Sequence, residues 1–192
     1  MTNLRPTSAE IKFLNLAYNK FYDIYDEIGV DNFWLKDPHY RFTKVNTAFA
    51  IYTEILNYDP ITWFIKHIEE TRPPMESVIA SELFKFIRNI FAHFPFFDNW
   101  DEVYINKEII NWYRKGLTID KFLEKHAGGK EVKYRFWEIE KKLMTYLTIT
   151  FPVGYEKGEN IYLKDILPEK NGVKFSLHMM KNVIDSQVIK SS

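Results

Sequence analysis

Residues 82–95 read Glu82-Leu83-Phe84-Lys85-Phe86-Ile87-Arg88-Asn89-Ile90-Phe91-Ala92-His93-Phe94-Pro95. Helical periodicity reaches back from here to Met75 and predicts a helix over about Met75–Phe94. Pro95 ends it, because a residue before proline avoids the α conformation. At 100° per residue, Asn89 and His93 lie one turn apart on one face. Glu82, seven residues before Asn89, falls on the same stripe, with Lys85 and Phe86 flanking it. Arg88 stands about 140° from His93. Its side chain must fold back toward that face, or serve a site completed by another chain.

Working outward, the same periodicity organises the preceding residues. Thr7-Ser8-Ala9-Glu10 fits a capping box. Ile11, Leu14, Tyr18, Phe21, Tyr25 and Ile28 then recur at helical spacing up to a stop at Gly29. Asp37-Pro38 starts a second helix running to about Asn57, and Asp59-Pro60 starts a third that stops before Arg72-Pro73-Pro74. Beyond the motif helix, residues 96–106 read as a loop. Short helices are expected over Lys107–Lys115 and Ile119–His126, with a break at Ala127-Gly128-Gly129. Glu131–Leu147 reads as a strong helix stopped near Phe151-Pro152. Residues 155–172 read as a loop with a short strand at Ile161–Leu163, and a last helix covers Val173–Val188. The expected fold is all-α, one domain over 1–192. Residues 1–95 form the core bundle, and 96–192 add an irregular loop and further C-terminal helices.

Composition narrows the function classes. The 192 residues include 26 basic and 26 acidic side chains, so the formal net charge is zero. That argues against a highly basic nucleic-acid binder but leaves room for a local patch. Residues 129–192 hold a small excess, 11 basic against 8 acidic side chains. There is no cysteine, which removes thiol catalysis, disulfides and Cys-ligated zinc. Aromatic residues reach 17%, enough for a dense core and for a buried partner surface. No apolar run approaches the length of a membrane span, and the N-terminus lacks a signal-peptide core. Cytoplasm is the default compartment, without membrane contact.

Arg88-Asn89-x-x-x-His93 resembles the R-[polar]-x-x-x-H motif of the HEPN superfamily in its commonest form, with Asn directly after Arg. Shuffling this composition yields the full pattern about 0.01 times per chain, and about 0.5 times without the Asn when three spacings are allowed. The resemblance is specific over about six residues, and beyond them rests on the helical plan and chain size. It implies a HEPN-like helical bundle acting as a dimeric ribonuclease, of a kind common in toxin–antitoxin, abortive-infection and antiphage systems. The implied site is Arg88, Asn89 and His93, composed from two copies, with RNA as substrate and an antitoxin or regulatory protein as a further partner.

The chemistry of those residue types agrees. Metal-free RNA cleavage needs a base for the 2′-hydroxyl, a cation for the phosphorane and an acid for the leaving 5′-oxygen. Histidine exchanges protons near neutral pH. Arginine is permanently charged and its fork fits phosphate oxygens. Asparagine can orient either group. Helix carbonyls near Pro95 favour the imidazolium form of His93. Glu82 and Lys85 are supporting candidates. A structural reading competes: His93 as a C-terminal cap, Arg88 in an ion pair with Glu82 or another acid, Asn89 as polar filler. The corresponding functional alternative is a non-catalytic helical module that binds a protein partner.

Other constellations are weaker. His39, His67, His126 and His178 are scattered and show no metal spacing, so no metal is expected. Phosphate-loop, dinucleotide and nucleophile-elbow motifs are absent, and no cofactor is expected. Asp98, Asp101 and Glu102 read as a polar loop, with Asn99 and Asn106 as possible RNA contacts. Lys130, Lys133, Arg135, Lys141 and Lys142, interleaved with Tyr134, Phe136 and Trp137, suit single-stranded RNA. The helical spacing of Phe136, Ile139, Leu143 and Tyr146 instead assigns those apolar residues to a core. Phe84, Phe91, Phe94, Phe96, Phe97 and Trp100 read mostly as core, with a share in a dimer contact.

Overall fold

The computed structural model describes residues 6–71, 74–110, 117–138 and 141–187. Helix α1 covers Ser8–Gly29. Its start is the expected capping box: the Glu10 amide donates to Thr7 Oγ1 (3.3 Å) and the Thr7 amide to Glu10 Oε2 (2.6 Å). A 3-10 turn at Asp31–Leu35 leads to α2, Pro38–Ile55. Asp37 caps α2 by accepting from the amides of His39 and Tyr40. Helix α3 covers Asp59–Thr71 and α4 covers Pro74–His93. These local signals were legible because each cap acts within one turn of its own helix.

The second half departs from the all-α expectation. The chain is mainly helical, with two small two-stranded sheets among the described residues. Within residues 96–106 lie a 3-10 turn at Trp100–Glu102 and strand β1, Tyr104–Asn106. Helix α5 runs Lys107–Ile110, and the rest of the helix expected to Lys115 lies outside the described residues. Helix α6 is Leu117–His126. The helix expected over Glu131–Leu147 is instead a hairpin of β2, Glu131–Glu138, and β3, Leu143–Thr150. They pair antiparallel from Glu131–Thr150 to Glu138–Leu143. A period of two overrides the period of 3.6: Tyr134, Phe136, Leu147 and Ile149 are buried, while Lys133, Arg135, Tyr146 and Thr148 are exposed. Leu143 and Tyr146, expected in a helical core, are exposed; Ile139 lies outside the described residues.

Strand β4, Asn160–Tyr162, falls on the expected short strand and pairs with β1. Helix α7 is Leu163–Ile166, and α8 runs Glu169–Gln187, starting a turn before the expected Val173. Gly172 lies in that first turn, and a Cβ there would stand 2.3 Å from Leu167 Cγ. The close approach of the preceding bend therefore requires glycine.

Helix α4 packs against α2, α3 and α6, while α8 packs against α1, α2 and α3. The bundle is thus completed by a helix from the end of the chain. Arg41 of α2 clamps Glu169 of α8 with two hydrogen bonds of 3.0 and 2.9 Å. The aromatic residues form a continuous interior. Phe91 touches Phe42, Phe49 and Trp100. Phe175 of α8 touches Phe84 of α4 and Tyr134 and Phe136 of β2. No helix among the described residues is long and apolar enough to cross a membrane.

Candidate active site

Helix α4 buries Leu83, Phe84, Phe86, Ile87, Ile90, Phe91 and Phe94. These positions span one broad arc of the helix. What remains is a polar strip of Glu82, Lys85, Arg88, Asn89, Ala92 and His93. Lys85 and Ala92 are exposed; Glu82, Arg88, Asn89 and His93 are half-buried at its margins. Core packing of the apolar arc therefore fixes which way the three motif residues face.

Arg88 folds back along the helix. Its Nη1 donates to Asn89 Oδ1 at 3.1 Å. Its Nη2 stands 3.8 Å from Glu54 Oε1 on α2, an ion pair with 37% and 63% of the two side chains exposed. The guanidinium is drawn across the strip toward the Asn89–His93 stripe, while donors remain for another acceptor. Such an exposed pair contributes little to stability. His93 is the last residue of α4, and the amide of Phe94 still donates to Ile90 at 2.8 Å. His93 therefore belongs to an intact final turn and is half-buried.

Glu82 is not the acid that holds Arg88. Its Oε1 takes a 2.6 Å bond from Lys125, and its Oε2 lies 2.8 Å from Nε2 of His126, both on α6. Burial pushes the Glu82 carboxyl up, but Lys125 and His126 outweigh it and hold it below its ordinary value. His126 is buried and stacked on Phe151. Sequence spacing carried no signal for this dyad, since its partners lie 44 positions apart. Lys85 is exposed and in no ion pair among the described residues.

The remaining candidates scatter. His39 pairs with Asp98 at 3.2 Å on the surface. Asn99 caps the 3-10 turn through Glu102, and Asn106 bonds Asn160 across the β1–β4 pair. Both therefore serve local structure. His67 stacks on Trp63, and His178 lies against Phe136. Among the described residues no three His, Asp or Glu side chains gather as a metal-holding group. Phe84, Phe91, Phe94 and Trp100 are core, and Phe96, just past His93, is 63% exposed.

Compared with known proteins, the chain matches no family model, no curated protein and no solved structure.

Proposed function

We propose that this chain is a HEPN-like, metal-independent endoribonuclease that acts as a homodimer, in the role of a toxin or antiphage effector. The observation that carries the reading is the Arg88–Asn89 hydrogen bond, which turns a permanent cation toward the face shared by Asn89 and His93. Across a two-fold axis, two such strips would line one cleft. The exposed Ala92 leaves room for close approach there, and Phe96 supplies an apolar contact beside it.

The chemistry is transesterification. Neutral His93 takes the proton of the 2′-hydroxyl, and the 2′-oxygen bonds to phosphorus. Arg88 holds the non-bridging oxygens as charge accumulates on them. The P–O5′ bond breaks, and the 5′-oxygen takes a proton from the second imidazole, as imidazolium. The products are a 2′,3′-cyclic phosphate and a 5′-hydroxyl. Asn89 positions Arg88.

The test is cleavage of mixed RNA in EDTA by wild type, Arg88→Ala and His93→Ala. Wild type cuts, and each variant loses about a hundredfold or more. Equal inactivity of all three overturns the reading and leaves the non-catalytic binding module. That alternative draws on Phe13 and Leu16, which α1 exposes at 63% and 66%. A monomer at tens of micromolar by sedimentation would overturn the composite site.

A further inference from the structure

We propose that the outer face of the β2–β3 hairpin is a platform for single-stranded RNA, separate from the Arg88–His93 strip. The choice of RNA rests on the ribonuclease reading; the platform itself rests on the hairpin.

The register places four rungs on that face: Glu131 opposite Thr150, Lys133 opposite Thr148, Arg135 opposite Tyr146, and Trp137 opposite Met144. All eight side chains are exposed. Tyr146 is 70% and Trp137 47% exposed. A two-stranded sheet needs one apolar face for its own stability, and this one has it on the other side, against Phe175. The outer aromatics are therefore surplus to the core. Trp137 and Tyr146 are diagonal neighbours, a separation of roughly 7 Å that long rings can bridge.

Charge complements the rings. Neither Lys133 nor Arg135 has an ion-pair partner among the described residues, whereas Lys141 is paired with Glu138 at 3.2 Å. Glu131 is the only acid on these four rungs. Exposed Lys130 and Lys142 extend the positive surface at its two ends. Same-face side chains repeat about every 6.7 Å along a strand. Two successive cations beside a pair of rings at that repeat suit a backbone with unstacked bases. Phosphates meet Lys133 and Arg135, bases stack on Tyr146 and Trp137, and Thr148 offers a hydroxyl. A duplex hides its base faces and cannot use the rings.

At the Trp137 end the face meets a cleft of about 450 Å³ between α1, β2 and α8. Tyr25, Ile28, Phe136, Trp137 and Leu177 wall it, and Lys174 lies within. Lys174, with 8% of its side chain exposed, bridges two acids, Glu138 at 3.6 Å and Asp31 at 3.7 Å. With Asp26 and Glu138 also in its lining, the cleft suits an uncharged base at the strand's end, stacked against Trp137, rather than a phosphate.

The experiment uses His93→Ala protein, so that RNA stays intact, and a fluorescently labelled oligouridine. Lys133→Glu/Arg135→Glu weakens binding at least about tenfold and lowers the log–log salt slope by about 1.4. Tyr146→Ala weakens binding about tenfold. A control with the same charge change on α1, Lys12→Glu/Lys20→Glu, stays near wild type, and a duplex of equal length binds less tightly. Since the altered side chains are solvent-exposed, circular dichroism should be unchanged. Binding that ignores the hairpin variants, or follows the α1 control equally, overturns the platform. So does a Tyr146→Ala variant that breaks a dimer while RNA binding persists. Cleavage with hairpin-independent binding overturns the platform and keeps the ribonuclease. Hairpin-dependent binding with no wild-type cleavage supports the platform and overturns the ribonuclease.

Discussion

Glu82 shows how a side chain on the motif stripe can be engaged by a neighbouring helix. Helical geometry places it in line with Asn89, but Lys125 and His126 draw its carboxylate toward α6. His126 has 7% of its side chain exposed, so removing the acid strands a buried ring nitrogen. Glu82→Ala should cost about 1–3 kcal/mol in chemical denaturation. Cleavage per folded molecule should stay near wild type. A large fall in turnover with unchanged stability would instead place Glu82 in the reaction. Arg88 and Asn89 present the opposite case. Their one-residue separation makes the hydrogen bond between them a local matter, within reach of sequence reading.

At the scale of elements, the hairpin is the largest difference between expectation and structure. Phe136, Ile139, Leu143 and Tyr146 suit a helix, while Val132, Tyr134, Phe136, Leu147 and Ile149 suit paired strands. Both patterns are present in one segment, and periodicity alone does not arbitrate between them. The docking of Tyr134 and Phe136 on Phe175 of α8, some 40 residues later, settles it. Phe175→Ala should therefore destabilise the chain by about 3–5 kcal/mol by opening a cavity under both the hairpin and α4. Tyr146→Ala should change the unfolding midpoint little, since its ring lies outside. Equal losses for the two would contradict the assigned faces. The same switch of period changes the functional picture. On a helix, Lys133, Arg135, Trp137 and Tyr146 would point around the barrel of the element, whereas on strands they share one surface.

For the whole molecule, α8 closes the bundle and ion pairs tie its elements to one another. Glu27 of α1 accepts from Lys36 and Tyr40, and pairs with Lys44 at 2.9 Å. Burial pushes its carboxyl up, but these three partners outweigh burial and hold it at about 2, against an ordinary value of 4.5. The folded value lies below the unfolded one. Its contribution is therefore complete above pH 4.5 and is lost as pH falls toward 2. The denaturant midpoint should drop through that window, and Glu27→Gln should flatten the drop. An unchanged pH profile in the variant would remove Glu27 as a cause.

The sequence by itself determined the helix starts at Thr7 and Asp37, the stop at Pro95 and the facing of Asn89 with His93. Each depends on atoms within a turn or two of chain, so residue type and spacing suffice. It also placed the Asn160–Tyr162 strand within a residue, because apolar residues there stand between turn-forming ones. Tertiary structure alone decided the β2–β3 hairpin, the partners of Glu82, the acid beside Arg88 and the closure of the bundle by α8. These depend on surfaces brought together across 30 to 130 residues. There the free energy of burying aromatic area against a particular neighbour outweighs local propensity.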